Sequence, residues 1–223
     1  MRTVCLNALL LLALAAGLAV GASAATADFD SAKVGTLPTG WVAQITGTGE
    51  PKWSIEEDDS APSRPSVLKQ SAWTPKPSFP LCVKQDVSLK DGFVEVKFKP
   101  VSGTNDQAAG LVWRYRDPHN YYVVRANALE DNVVLYKVEQ GKRKALDIVG
   151  RAGGYGLKEK VPPQQWSTLR VNFAGSRFAV HLNGKELFAV EDTTFPGDGQ
   201  VGLWTKADSV TLFDDFQYGV VPK

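Results

Sequence analysis

Apolar and polar residues alternate with a period of two along most of the chain after residue 28. We find no convincing stretch of helical periodicity there. A period of two places successive side chains on opposite faces of a strand, so the pattern predicts a protein that is nearly all β. The clearest predicted strands are Leu81–Val87, Gly92–Phe98, Ala108–Tyr115, Tyr121–Ala128, Asn132–Glu139, Trp166–Phe173, Arg177–Leu182, Glu186–Val190, Val201–Trp204 and Val210–Tyr218.

The segments between these strands carry turn residues such as Lys90-Asp91-Gly92 and Asn183-Gly184. Asn-Gly is typical of a type I′ turn, which joins antiparallel neighbours. Short strands joined in this way predict two antiparallel sheets packed as a sandwich, or a barrel. The stretch from Asp58 to Pro80 holds five prolines and predicts a surface excursion that is able to line the rim of a site.

The first residues predict an export signal. Arg2 precedes an apolar run from Leu6 to Val20, and Ala22-Ser23-Ala24 has the small residues of a cleavage site. An uncleaved anchor is the alternative, although the run is barely long enough to span a bilayer. We therefore expect a signal peptide at residues 1–24, an exported location in a periplasm or outside the cell, and no membrane contact after cleavage.

The composition of the chain limits the partners, disulfides and metal sites that we expect. The 25 basic and 24 acidic side chains in 223 residues leave no basic stripe, so nucleic acid is not expected as a partner. Cleavage after Ala24 would remove Cys5 and leave Cys82 as the one cysteine, so we expect no intrachain disulfide. With two histidines in the chain, we assign no metal site and no cofactor.

Several phrases of the sequence resemble those of a known family. They are Ala109-Gly110-Leu111-Val112-Trp113-Arg114-Tyr115, Asn120-Tyr121-Tyr122-Val123-Val124-Arg125-Ala126, Trp166-Ser167-Thr168-Leu169-Arg170-Val171, Val180-His181-Leu182-Asn183-Gly184-Lys185 and the segment from Gly199 to Phe216. Together they resemble the 3-keto-disaccharide hydrolase domain family. That family is related in fold to family 16 glycoside hydrolases and laminin G-like modules.

The resemblance spans about residues 28–219, which we expect to form a single domain. It implies an all-β, two-sheet antiparallel jelly-roll sandwich of the concanavalin A-like type. It also implies that the concave face holds a carbohydrate and that the activity concerns oxidised, 3-keto disaccharides.

Strand alternation selects the first candidate contacts for a sugar. From Tyr121 to Ala128, Arg125 and Asn127 share the face that we expect to lie outside the sandwich. A guanidinium and an amide offer donors and an acceptor to sugar hydroxyls. The alternative is an exposed or salt-bridged arginine beside a solvated asparagine.

Trp113 and Trp204 are the aromatic candidates, because an indole stacks on the apolar face of a pyranose. A core position is the alternative for each. Trp204 is favoured, since Lys206 and Asp208 follow it at alternate positions of a loop end. We predict substrate contacts from Trp113, Arg125, Asn127, Trp204, Lys206 and Asp208.

No catalytic residue is assigned. Ordinary glycosidases need two carboxyl groups, and the Glu-x-Asp-x-x-Glu strand of family 16 enzymes is missing from this sequence. A ketone acidifies the neighbouring C–H, so elimination followed by addition of water would need a base instead of that pair. We predict that His119 and His181 are both surface residues.

Asp214-Asp215 has two interpretations. It forms a calcium site with Asp28 and Asp30 from the first strand, or it marks a bulge with Phe213 and Phe216 turned inward, which we favour. Three functions stay open for the whole chain: an enzyme acting on oxidised disaccharides, a glycan-binding sandwich without catalysis, and a structural or partner-binding jelly roll.

Overall fold

The computed structural model describes residues 24–151 and 153–220, and in these ranges the regular structure is β-strand. The strands are β1 (Ala25–Ala27), β2 (Trp41–Thr46), β3 (Trp53–Glu57), β4 (Ser66–Gln70), β5 (Phe79–Leu89), β6 (Gly92–Ser102), β7 (Ala108–Asp117), β8 (Asn120–Asn127), β9 (Asn132–Glu139), β10 (Lys142–Ala145), β11 (Leu157–Lys158), β12 (Ser167–Ala174), β13 (Arg177–Leu182), β14 (Lys185–Glu191), β15 (Gly199–Thr205) and β16 (Val210–Gly219). Each predicted strand is found.

The strands form two antiparallel sheets that pack as a jelly-roll sandwich. One has the order β14-β13-β12-β6-β16-β4-β3, with β1 on β16. We call the other the curled sheet; its order is β10-β9-β8-β7-β15-β5-β2, with β11 on β9. The fold class predicted from the sequence is confirmed.

Side chains of β8 show how the two faces of the curled sheet divide. Tyr122, Val124 and Ala126 belong to the main core between the sheets. Tyr121 and Val123 belong to a second, smaller apolar cluster on the opposite face. The alternation therefore assigned each β8 side chain to its correct face.

The curled sheet closes over its own outer face. Thr46 ends the edge strand β2, four strands from β8 in the sheet, a separation of roughly 19 Å in a flat sheet. Its hydroxyl nevertheless lies 2.7 Å from the phenol oxygen of Tyr121. The sheet must curl to allow this contact, and the curl buries side chains that a flat sheet would expose.

The prediction of a surface excursion from Asp58 to Pro80 is wrong in part. This stretch contains β4 and the first residues of β5, and Val67 and Leu68 are fully buried. β4 pairs with β3 and β16, which supplies the burial that its short pattern did not reveal.

The favoured interpretation of Asp214-Asp215 is confirmed. The register of β16 against β6 shifts between Asp214 and Gln217, as a bulge requires, and Phe213 and Phe216 are buried in the main core. The carboxylate of Asp214 accepts hydrogen bonds from the amide and hydroxyl of Ser63.

The predicted export signal lies outside the described residues except for Ala24. Within residues 24–151 and 153–220 we find no helix with the length and apolar character needed to span a bilayer.

Candidate functional site

Arg125 lies at the centre of the outer face of the curled sheet and is fully buried. Its Nη1 donates to Oδ1 of Asn132 at 2.6 Å, and its Nη2 donates to Oε2 of Glu130 at 2.8 Å and to the phenol oxygen of Tyr155 at 3.1 Å. Arg125 is therefore salt-bridged, which was the alternative interpretation of this residue.

Two tyrosines adjoin this arginine. The phenol groups of Tyr136 and Tyr155 share a hydrogen bond; Tyr136 is buried on β9, whereas Tyr155 is 50% exposed in the loop between β10 and β11. Burial raises the pKa of Tyr136 far above its usual value. Burial opposes ionisation of Tyr155 too, but the hydrogen bond from Tyr136 and the charge of Arg125 outweigh it and lower its pKa. Tyr155 is therefore the member of the pair that ionises first.

Glu130 completes this cluster. Burial favours its neutral form, but Arg125 and the hydrogen bond from Asn132 outweigh burial and lower the pKa of Glu130. Its side chain is about one third exposed, at 37%. Solvent thus reaches the cluster at Tyr155 and Glu130 while Arg125 stays covered.

Asn127 and Lys206 meet at the same end of the sheet through a shared partner. Asp106 accepts from Nδ2 of Asn127 at 2.8 Å, and its other carboxylate oxygen lies 2.7 Å from Nζ of Lys206. Oδ1 of Asn127 accepts from the amide of Leu129, so this side chain also fixes the turn that leads to Glu130. Asn127 therefore has a clear positioning role.

Asp208 lies in the loop between β15 and β16, against the loop between β6 and β7. Its carboxylate accepts hydrogen bonds from the amides of Thr104, Asn105 and Asp106. These bonds hold the loop that carries Asp106, so the structure gives Asp208 a scaffolding role beside the candidate site.

Trp204 on β15 lies on the same face of the curled sheet as Arg125 on β8, with β7 between the two strands. Trp204 and Arg125 both pair with Gly110 in register, on either side of β7. A Cβ at Gly110 would lie 3.2 Å from Cε3 of Trp204 and 2.9 Å from the carbonyl of Val124. Glycine therefore provides the room for the indole, which stacks on Phe79 with 5.2 Å between ring centroids. The indole is fully buried in the smaller apolar cluster, so the prediction that Trp204 stacks on a sugar is wrong.

The prediction that Trp113 contacts a sugar is wrong. It is buried in the main core between the sheets, where its ring contacts Tyr122, Phe173 and Phe178. It lies on the face of β7 opposite to Trp204, so we withdraw it from the set of sugar contacts. The structure confirms the alternative interpretation of Trp113, a position in the core.

Arg143 is a site residue that the sequence did not reveal. Its guanidinium carbon lies 4.4 Å from the ring centroid of Tyr136 and 4.6 Å from that of Phe79. It reaches this position because β10 is folded over the curled face. Neither Arg143 nor Tyr155 has a sequence motif, and only their contacts across the fold identify them.

Trp73 stands at the rim with 68% of its surface exposed. The next residue, Thr74, donates from its amide and its hydroxyl to the carbonyl of Ala207. The proline-containing loop is thus tied to the loop that carries Lys206, as a rim position would require.

Neither histidine is bonded to the cluster of Arg125, Tyr136, Tyr155 and Glu130. His119 is exposed in the turn between β7 and β8, and His181 lies on β13 of the other sheet, 3.6 Å from Glu186. The described residues contain no cluster of three or more His, Cys, Asp or Glu that could hold a metal ion.

The two antiparallel sheets make this chain a jelly-roll sandwich domain. Residues 24–217 match the model of the 3-keto-alpha-glucoside-1,2-lyase-like domain. The chain belongs to this family, that of the 3-keto-disaccharide hydrolase domain, as the resemblance of its sequence phrases predicted. No curated protein sequence matches the chain.

Solved structures show the same fold at low sequence identity. Carbohydrate-binding module CBM66 from Bacillus subtilis has a TM-score of 0.60 and 21% identity, over 80% of this chain and 94% of the module. Cellulose induced protein Cip1 has a TM-score of 0.63 and 14% identity, over 87% and 96%. The GH43 protein BlXynB from Bacillus licheniformis has a TM-score of 0.56 and 17% identity; the match covers 88% of this chain and 39% of that protein.

Proposed function

We propose that this protein is exported and acts on oxidised disaccharides that carry a 3-keto group, at the outer face of the curled sheet. The observation that carries the proposal is the contact of the half-exposed Tyr155 with Tyr136 and Arg125. The family description and the carbohydrate-binding fold relatives support a sugar as the ligand class.

The proposed reaction is a proton abstraction followed by elimination. The ionised oxygen of Tyr155 takes the proton from the carbon between the ketone and the anomeric carbon, since the ketone makes this proton acidic. The electron pair of the broken C–H bond forms a double bond to the anomeric carbon, and the bond from that carbon to the glycosidic oxygen breaks. The departing sugar takes up a proton from water. The hydroxide left by that water then adds to the anomeric carbon, and Tyr155 returns its proton to the neighbouring carbon, which completes a net hydrolysis and restores the ionised tyrosine.

The surrounding residues have defined parts in this proposal. Arg125 stabilises the negative charge on the oxygen of Tyr155, and Tyr136 donates a hydrogen bond to that oxygen. Glu130 balances the charge of Arg125. Trp73 offers an exposed indole at the rim, where a sugar ring can stack.

The alternative is a sugar-binding domain without catalysis. It is favoured by one observation, that Glu130 is held ionised by Arg125 and so is a poor proton donor for a leaving group. In this case the same face binds the disaccharide and leaves it intact.

Mass spectrometry of the products separates the two functions. The purified protein is incubated with matched ordinary and 3-keto disaccharides, with calcium and then with a chelator. Cleavage of the keto sugars alone, lost in Tyr155→Phe and kept in Tyr115→Phe, supports the enzyme. Binding of the sugars without cleavage in both metal conditions supports the binding domain and contradicts the proposed reaction.

A further inference from the structure

A cavity of about 500 Å³ opens where the end of β2 meets the hairpin between β9 and β10. A volume in this range holds a small organic ligand such as a single sugar ring. The cavity is lined by Thr46, Gly47, Pro77, Phe79, Gly141, Lys142 and Arg143. It carries two positive side chains and no carboxylate in its lining.

Aromatic rings fix the guanidinium of Arg143. Its central carbon lies over Tyr136 and Phe79 and 5.7 Å from the ring of Trp204. Stacking of this kind holds the flat group in one orientation while its N–H groups stay available at the edge.

The described residues provide no carboxylate for this charge. Neither Arg143 nor Lys142 has an ion pair within 4.0 Å among them, and Nη1 of Arg143 is buried without a hydrogen-bond partner. A buried donor is normally satisfied.

Another arginine shows the contrast. Arg114 is buried, and it donates from Nε, Nη1 and Nη2 to the backbone carbonyls of Lys90, Phe195 and Gly175. Arg143 thus stands out as a preorganised guanidinium in the lining of the cavity, with no ion pair and no hydrogen-bond partner for Nη1 among the described residues.

We propose that Arg143 binds an oxyanion carried by the sugar ligand, so that this face selects acidic sugars, such as uronates or sugar phosphates, over neutral ones. The inference rests on the proposed carbohydrate ligand of the curled face. A guanidinium pairs with a carboxylate or phosphate through two parallel hydrogen bonds. Lys142 at the mouth of the cavity adds attraction for the same charge.

Isothermal titration calorimetry tests this inference with glucuronate, glucose 6-phosphate, glucose and inorganic phosphate as probes. We expect at least one of the acidic sugars to bind about tenfold more tightly than glucose, as a charge-assisted hydrogen bond provides. Inorganic phosphate is expected to bind more weakly than that sugar, because it leaves the rest of the cavity unfilled.

Two methionine variants form a matched pair, one as the test and one as its control. Arg143→Met keeps an apolar stem over the rings and removes the charge, and should abolish the preference for the acidic sugar. Lys144→Met removes the same charge from the next, exposed position of β10 and should leave the preference unchanged. Arg143→Lys keeps a charge and should retain part of the preference.

Equal affinity for glucose and both acidic sugars would overturn the inference, as would a preference that survives in folded Arg143→Met. Inorganic phosphate binding as tightly as glucose 6-phosphate would also overturn it, because the anion alone would then account for the affinity. If neutral 3-keto disaccharides are still bound or cleaved in that case, the proposed function stands. If the protein binds no sugar of either kind, the proposed function fails.

Discussion

Nη2 of Arg125 lies 3.1 Å from the phenol oxygen of Tyr155, and this contact joins a fully buried cation to a half-exposed phenol. The arginine is covered because the sheet curls, and the tyrosine is reachable because its loop lies over β9. The pair therefore places an ionisable oxygen at the surface of a charged and largely buried network.

The first prediction concerns the ionisation of Tyr155. Since its pKa is lowered, an ultraviolet titration should show one tyrosine that ionises below the ordinary range for tyrosine. Tyr155→Phe should remove this transition. Tyr115→Phe should keep it, because burial raises the pKa of Tyr115 far above that range. The same low transition persisting in Tyr155→Phe would show that another group produces it.

The second prediction concerns the balance of charge around Arg125. Glu130→Gln leaves a buried guanidinium without its ionised partner. Because the side chain of Glu130 is 37% exposed, we expect unfolding in urea to show a loss of about 2 kcal/mol of stability, less than for a fully buried pair. Arg125→Met should cost less in the Glu130→Gln background than in the wild type, since it then removes an unpaired charge. Strictly additive losses would show that the two side chains do not interact.

The third prediction concerns pH. Burial raises the pKa of Asp214 to about 6, outweighing the hydrogen bonds from Ser63, whereas its ordinary value is 3.8. The folded state therefore holds this proton more tightly than the unfolded state. Its contribution to stability is fully present below about pH 4 and is lost as the pH rises through 6.

Asp214→Asn tests this contribution, because it removes the titrating group and keeps an acceptor for Ser63. The free energy of unfolding of the wild type relative to Asp214→Asn should rise as the pH falls from 7 to 4, by an amount on the order of 2–3 kcal/mol. Using the difference cancels the opposite effect of carboxylates with lowered pKa, such as Glu130. A difference that stays constant over this pH range would contradict the account.

The fourth prediction concerns the room for Trp204. Gly110→Ala places a Cβ against the carbonyl of Val124 and the indole of Trp204, and we expect it to cost about 1–3 kcal/mol. Gly197→Ala is the control, because the nearest heavy atom would lie 3.8 Å away. Its expected effect is within about 0.5 kcal/mol. Equal effects of the two substitutions in thermal or urea unfolding would contradict this explanation.

The alternation of residues predicts the central part of the fold because both sheets have a buried face. β8 shows this directly, with Tyr122 in the main core and Tyr121 on the opposite face. The turn at Asn183-Gly184 is also as predicted, with positive φ at both residues. The alternation does not reveal β2, because four of its six residues are only half-buried and its two faces differ little. β4 was missed because it is short and lies among prolines.

The candidate site is predicted only in part. Strand alternation brings Arg125 and Asn127 to one face, and the structure adds Lys206 through Asp106. Tyr155 and Arg143 could not be predicted, since their contacts depend on a loop and an edge strand that fold over the sheet. The burial of Arg125 has the same origin, because a local pattern carries no information about the curl.

Exchange of deuterium into a 3-keto disaccharide measures the proposed proton abstraction most directly. In heavy water, nuclear magnetic resonance follows the proton on the carbon between the ketone and the anomeric carbon, whether or not cleavage follows. We predict rapid loss of this signal with the wild type and with Tyr115→Phe, and a rate at least about a hundredfold lower with Tyr155→Phe. Equal rates for the wild type and Tyr155→Phe would contradict the assignment of Tyr155 as the base.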